Sequence, residues 1–452
     1  MNMFRMPLVL ILVVVILAVI FVSFVLFGEG KIKYRSEVLK ALARAETMFN
    51  QSPGNPASRQ EYATLLFQTG DFWKAKMIVQ PLLEKPPEDL EILHLGARLA
   101  YLLADYKNAE EFYRRIMNLA GKGTKKYKDA AKGLALTYFQ TRTYDKVKEL
   151  PDIKESKAFV EMMKKFPGKP YTIEWANKER TTAVPYTIEG MLPTFEVRVN
   201  GKDLKFILDT GGNLFYIDKG VAKDVGLEKL ATHKATYAYT GGQEVEEFLG
   251  RADSVTLGGV TIKNVPMTLA EWKSRGIESD GVLTTQALKE FLFTIDYRNG
   301  QMIFRERNEL GLKLFKDSVE GKETVDIPFV LDETHLLFTR GSLNGTPNLT
   351  FLVDSGLAAS ASFVGMDGML EDLKIETTKI EGSKYRLFTI SSLGLGSLVW
   401  DKPAQGLAGI MVGEPPYWSQ GFIWDGLISH QFLKNFGSWT IDFDGMKFIF
   451  TK

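Results

Sequence analysis

The chain has 452 residues, 45% hydrophobic and 25% charged, which supports a sizeable core and exceeds the usual length of one domain. With 56 basic and 55 acidic residues the net charge is +1, so charge gives no reason to expect nucleic acid or an acidic partner. Zero cysteines exclude disulfides, thiol catalysis and cysteine-held metals. The four histidines, His94, His233, His335 and His430, lack metal-ligand spacing and read as surface or core residues. Neither a metal nor a cofactor is expected.

The first element is an uncharged run from Pro7 to Phe27, rich in Val, Leu, Ile and Phe. As a helix it would span about 30 Å, the thickness of a bilayer core. No small-x-small site precedes Gly28, so residues 1–30 are expected to be an uncleaved membrane anchor touching lipid through residues 7–27. Arg5 precedes the run and Lys31, Lys33 and Arg35 follow it, which by charge alone favours a cytoplasmic body. An N-terminal anchor on a cysteine-free chain is nevertheless a common design for export. The localisation expected is therefore a single-pass membrane protein with an extracytoplasmic body.

Residues 35–150 are helical in character. Gly70-Asp71-Phe72-Trp73-Lys74-Ala75, Ala104-Asp105-Tyr106-Lys107-Asn108-Ala109 and Arg142-Thr143-Tyr144-Asp145-Lys146-Val147 recur, each after an apolar helix. The period is near the ~34 residues of paired helices and resembles the tetratricopeptide repeat. A plain helical bundle is the alternative. The third copy has Val147 in place of Ala and follows an insertion around Gly121 to Lys126, so it is expected to be a capping turn. A repeat array presents a surface for a protein partner or substrate. Residues 151–185, with Pro151, Pro167-Gly168, Pro170 and several lysines, read as an extra helix and a linker.

The rest of the chain is written twice. Phe206-Ile207-Leu208-Asp209-Thr210-Gly211-Gly212 is matched by Phe351-Leu352-Val353-Asp354-Ser355-Gly356, each an apolar strand delivering an acid into a tight turn. Asn200-Gly201 and Asn344-Gly345 precede these strands and favour two-residue hairpin turns. Asp280-Gly281-Val282-Leu283 and Asp425-Gly426-Leu427-Ile428 follow the acids at the same offset. Each is succeeded by Phe-Leu and by a strand, Phe293-Thr294-Ile295-Asp296-Tyr297 or Trp439-Thr440-Ile441-Asp442-Phe443. Two copies of one β-unit are expected.

These residues resemble the aspartic proteases of the pepsin and retropepsin type, over about the C-terminal three-fifths of the chain. The resemblance implies an all-β bilobal domain, with an N-lobe over 186–310 and a C-lobe over 320–452. The expected whole is multidomain: transmembrane helix, all-α tetratricopeptide-like repeats, then the bilobal protease domain. It further implies that Asp209 and Asp354 form a catalytic pair, on turns completed by Thr210, Gly211, Ser355 and Gly356. Thr210 and Ser355 would brace the turns through their hydroxyls. Tyr239, Gly241 and Gly242 fall where such proteins carry a flap over bound peptide, and a surface hairpin fits the same residues.

Two carboxyls about 3 Å apart share one proton; the ionised one activates water, and the protonated one binds the scissile carbonyl. The sequence assigns neither role to either acid. An aspartic endopeptidase acting on a peptide or protein is the function implied. The alternatives are a weakly active or inactive peptide-binding protein on the same fold, and a structural membrane scaffold.

Three departures from the family pattern stand out. Gly212 and Leu357 stand where pepsin-type members often carry a hydroxyl that bonds the outer carboxylate oxygen. Its loss predicts raised pKa values and activity nearer neutral pH. Thr284 and Ser429 stand where glycine usually follows the Asp-Gly motif, and Leu357 is bulky for its turn.

Overall fold

The computed structural model describes residues 14–15, 35–84, 89–153, 156–189, 191–236, 244–273, 278–358, 361–383, 385–409 and 421–452. Helices α1 (Arg35–Gln51), α2 (Pro56–Gln68), α3 (Phe72–Leu83), α4 (Leu90–Leu102), α5 (Tyr106–Leu119) and α6 (Lys125–Gln140) stack each on the next. The recurring hexapeptides are the tight turns within pairs. Gly70, Ala104 and Arg142 take the left-handed conformation, and Asp71 and Asp105 cap the helices that follow. The third turn leads into a 3-10 segment, Tyr144–Glu149, where Thr143 makes no side-chain cap. Phe72 and Tyr144 are buried at the pair junctions.

Residues 151–185 do more than link. Helix α7 (Lys157–Lys165) is followed by strands Thr172–Trp175 and Thr181–Pro185. The first pairs with Val260–Lys263 and the second with Gln301–Arg305. Thr172–Trp175 alternates polar and apolar residues over only four positions, and Thr181–Pro185 does not alternate, so neither stands out in sequence. Their ladders are made with strands far along the chain.

The two β-units have the same topology. In the first, strand Lys202–Asp209 runs antiparallel to Leu192–Val199 and parallel to Gly281–Thr284, which in turn pairs antiparallel with Phe215–Asp218. In the second, Thr346–Val353 runs antiparallel to Leu336–Leu343 and parallel to Gly426–Ile428, which pairs antiparallel with Phe363–Gly365. Both Asn-Gly hairpins have positive φ at both residues, the geometry that matches the twist of the flanking strands. Asp280 and Asp425 play the same local part: their Oδ2 atoms accept from the backbone N–H of Lys205 and Thr350, each at 2.8 Å.

A six-stranded section of a larger sheet joins the lobes, in the order Thr324–Asp332, Lys447–Thr451, Ser438–Asp442, Phe291–Asp296, Gln301–Glu306, Thr181–Pro185. At its centre Thr294 faces Thr440, and their hydroxyls bond at 2.8 Å. These threonines are equivalent residues of the two repeats, so the pair marks the pseudo-twofold axis.

The expected transmembrane helix and single-pass membrane localisation are corrected here. No helix among the described residues is long and apolar enough to cross a membrane. Within 7–27 the described residues, Val14–Val15, form a strand that pairs with Leu357–Ala358, so their backbone bonds run between segments and not along a helix. The other residues of that run lie outside the described ones.

Candidate active site

The parallel pairing of Asp209 with Thr284 sets the end of the first acid-bearing strand, and Val353 opposite Ile428 sets the second. Each acid therefore leaves its sheet at the lobe boundary, where the two turns meet. Thr210 Oγ1 donates to the Val353 carbonyl at 3.0 Å and accepts from Ser355 N–H at 2.9 Å. Ser355 Oγ accepts from Thr210 N–H at 3.0 Å. Five buried groups are thereby satisfied across the lobe boundary, and the turns are locked face to face.

Each carboxyl lies against the other's turn. Asp209 is 1% exposed and Asp354 is fully buried. Each Oδ1 accepts from the N–H two residues on, Gly211 at 2.7 Å and Gly356 at 3.0 Å. Each Oδ2 is left without a hydrogen-bond donor among the described residues. Both turns need glycine because the partner carboxyl occupies the space of a side chain. A Cβ on Gly211 would stand 2.7 Å from Asp354 Cγ, and one on Gly356 would overlap the Asp209 carboxyl.

Burial pushes the Asp209 carboxyl up to about 6, against the pull of hydrogen bonds from Asp354 and the turn N–H groups. Asp354 is pushed well above the ordinary carboxylate range, first by burial and then by the charge of Asp209. Two carboxyls raised in this way by burial and by each other titrate as a coupled pair that shares a proton. Such a pair can polarise a water and donate a proton in the same encounter.

The departures in sequence explain one another in space. A Cβ on Gly212 would stand 2.6 Å from Thr284 Cγ2, so the threonine methyl fills the room that a residue larger than glycine would take at 212. Thr284 Oγ1 donates to the Asn213 carbonyl at 3.1 Å, and Thr285 Oγ1 to the Thr210 carbonyl at 2.7 Å. In the second lobe Ser429 Oγ donates to Ala361 at 2.6 Å. Hydroxyls at 284 and 429 thus tie down the chain leaving each turn.

Tyr239, Gly241 and Gly242 lie outside the described residues. The arms beside them are present: Glu228–Thr236 and Glu244–Leu257 form one hairpin, closing at Thr236 opposite Glu244. The composition gave no hint of His335. It is buried beside the Gly211 backbone, with Nδ1 2.8 Å from Thr334 Oγ1, and burial lowers its pKa to about 3, so it stays neutral. The helical anchors were equally hidden. Arg35 binds both oxygens of Asp425 across 390 residues, Arg98 grips Asp332 at 2.9 and 3.0 Å, and Gln140 donates to the Thr334 carbonyl at 3.2 Å. Among the described residues no cluster could hold a metal.

Residues 195–287, which span the first acid and its following motif, match the family model described as Aspartyl protease. Among solved structures the chain is similar to a retropepsin-like aspartic protease from Rickettsia conorii, at 18% identity, over 30% of this chain and 94% of that one. The TM-score is 0.21, too low for that likeness to carry an argument. Among curated proteins none matches. The match lies within the first β-unit, and the second repeats the pairings of its acid-bearing strand.

Proposed function

We propose that the chain is an aspartic peptidase in which Asp209 and Asp354 share one proton and activate a water against a peptide carbonyl. The observation that carries this is the pair itself. Two buried carboxyls face each other on turns braced by Thr210 and Ser355, each with one oxygen held and one left for substrate and water. The ionised member takes a proton from water, whose oxygen attacks the carbonyl carbon. The protonated member hydrogen-bonds the carbonyl oxygen, then a proton passes to the departing nitrogen as the C–N bond breaks. The hairpin ending at Thr236 and Glu244 supports a flap at Tyr239, Gly241 and Gly242 over the bound peptide.

The helical region is the second part of the proposal: tetratricopeptide-like pairs that recruit substrate or a partner protein. Its support is the turn that recurs with the same capping at Asp71 and Asp105. Hydrolysis of a mixed peptide library by the full chain tests the peptidase reading. Asp209→Ala should reduce cleavage by roughly a thousandfold or more, and a statine-type mimic of the tetrahedral intermediate should block it. Cleavage unchanged in Asp209→Ala would remove the dyad from the mechanism.

A further inference from the structure

The late helices pack against the first lobe beside the dyad turn. Leu214, five positions beyond Asp209 in the chain, is fully buried in one apolar cluster with Phe139, Tyr144, Met163 and Phe166 of the helical region. Leu230, Ala231 and Leu249 on the hairpin arms join the same cluster, and α7 lies against both arms. Lys165 Nζ donates to the Leu230 carbonyl at 3.0 Å. From the second lobe, Thr334 and His335 reach the same corner. Gln140 of α6 bonds the Thr334 carbonyl, and Arg142 holds Gln286 at 2.8 Å, just beyond the Gly281–Thr284 strand.

The early helices dock elsewhere. Arg35 bonds the carbonyl of Asn348 at 2.8 Å and also holds Asp425, whose Oδ2 takes the N–H of Thr350. Asn348 lies at the start of the strand that ends beside Asp354, six residues away and so about 20 Å along the strand. One end of the array therefore touches the second lobe far from the dyad, while the other seals the corner between the first-lobe turn and the hairpin arms.

We infer that α6, the 3-10 segment and α7 are an end wall of the substrate cleft, so that the enzyme cuts within a few residues of one terminus of its substrate. A bound peptide must run extended across the dyad, at about 3.3 Å per residue. On the first-lobe side its path meets a packed apolar wall, which cannot yield without exposing Leu214, Phe139 and Phe166. Long extensions are accommodated on the opposite side alone. This inference rests on the peptidase reading above.

The test uses the full chain and a cleavable peptide selected from the library, extended by about six residues at its amino end, its carboxyl end or both. Extension at one end should lower kcat/KM by about tenfold or more, roughly 1.4 kcal/mol of lost binding. Extension at the other end should change it by less than about twofold. Equal tolerance at both ends overturns the wall and leaves the dyad reading intact, whereas no hydrolysis of any peptide overturns both. Phe166→Ala should recover part of the rate lost on the extended peptide relative to the short one. Lys165→Ala, a milder opening of the same wall, makes that comparison if the first variant does not fold. An unchanged ratio in a folded variant argues against the helices as the barrier.

Discussion

Two carboxyls that share one proton make ionisation the central variable at the residue scale. Burial raises both pKa values above the unfolded carboxylate range, so the native state holds protons that the unfolded chain has lost. Stability contributed by this difference is present at low pH and falls as pH rises from the unfolded value, near 4, through the folded one of about 6 for Asp209. Asp209→Asn should therefore melt higher than the parent at pH 7, by about 1–3 kcal/mol, with the gap closing below about pH 4. Differential scanning calorimetry at the two pH values decides it. The same shifts put the acid limb of kcat/KM close to pH 6, and an optimum below about pH 4 would contradict them. Gly212 and Thr284 supply a steric test. Gly212→Ser should cost about 1–3 kcal/mol because its Cβ meets Thr284 Cγ2. Gly212→Ser combined with Thr284→Gly should recover most of that, a coupling read by a double-mutant cycle.

Between elements, the hydroxyl brace and the buried ion pairs hold parts that the chain order keeps far apart. Thr210→Val removes a donor to Val353 and an acceptor for Ser355 in a fully buried site. The expected loss is about 2–4 kcal/mol, with kcat falling more than KM rises, since the turns loosen where the acids meet. Steady-state kinetics separates the two constants. Arg98→Met strips Asp332 of a bidentate partner in a buried position. About 3–5 kcal/mol should be lost, because an uncompensated buried charge remains. An urea titration measures it, and a change below about 1 kcal/mol would place Asp332 in water. Aromatic packing works at the same level. Phe67 of α2 and Phe72 of α3 meet Phe422, which packs on Phe338 of the second lobe at 5.1 Å.

For the molecule as a whole, helices and lobes share their cores. One apolar cluster contains Leu65, Phe67 and Phe72 together with Phe338 and Trp424, and another contains Tyr113 and Phe166 together with Leu214 and Leu249. A truncated chain beginning at residue 170 should then expose both seams. It should lose the cooperative melt of the parent and aggregate on concentration, measurable by circular dichroism and light scattering. A sharp melt at the parent temperature would make the helices a dispensable appendage. The six-stranded section fixes the other relation, placing the lobes about the Thr294–Thr440 pair so that neither can swing without breaking the ladder between Phe293–Asp296 and Ser438–Ile441.

The doubled acid-hydroxyl-glycine turn, the Asn-Gly hairpins and the Asp-Gly strands were legible because each is local chemistry: a carboxylate, a left-handed turn, an apolar run. The helical character of residues 35–150 was legible for the same reason, through apolar runs each followed by a recurring short motif. Residues 7–27 show the limit of that reading, since hydropathy alone suggested a spanning helix and Val14–Val15 instead pair with Leu357–Ala358. Tertiary structure alone decided that Thr284 occupies the space Gly212 leaves, that His335 lies beside Gly211, and that Arg35 and Arg98 secure acids 390 and 234 residues away. Such partners leave no periodic or compositional trace, because contacts across hundreds of residues depend on how two lobes and a helical array are packed together, and that packing is a property of the folded whole.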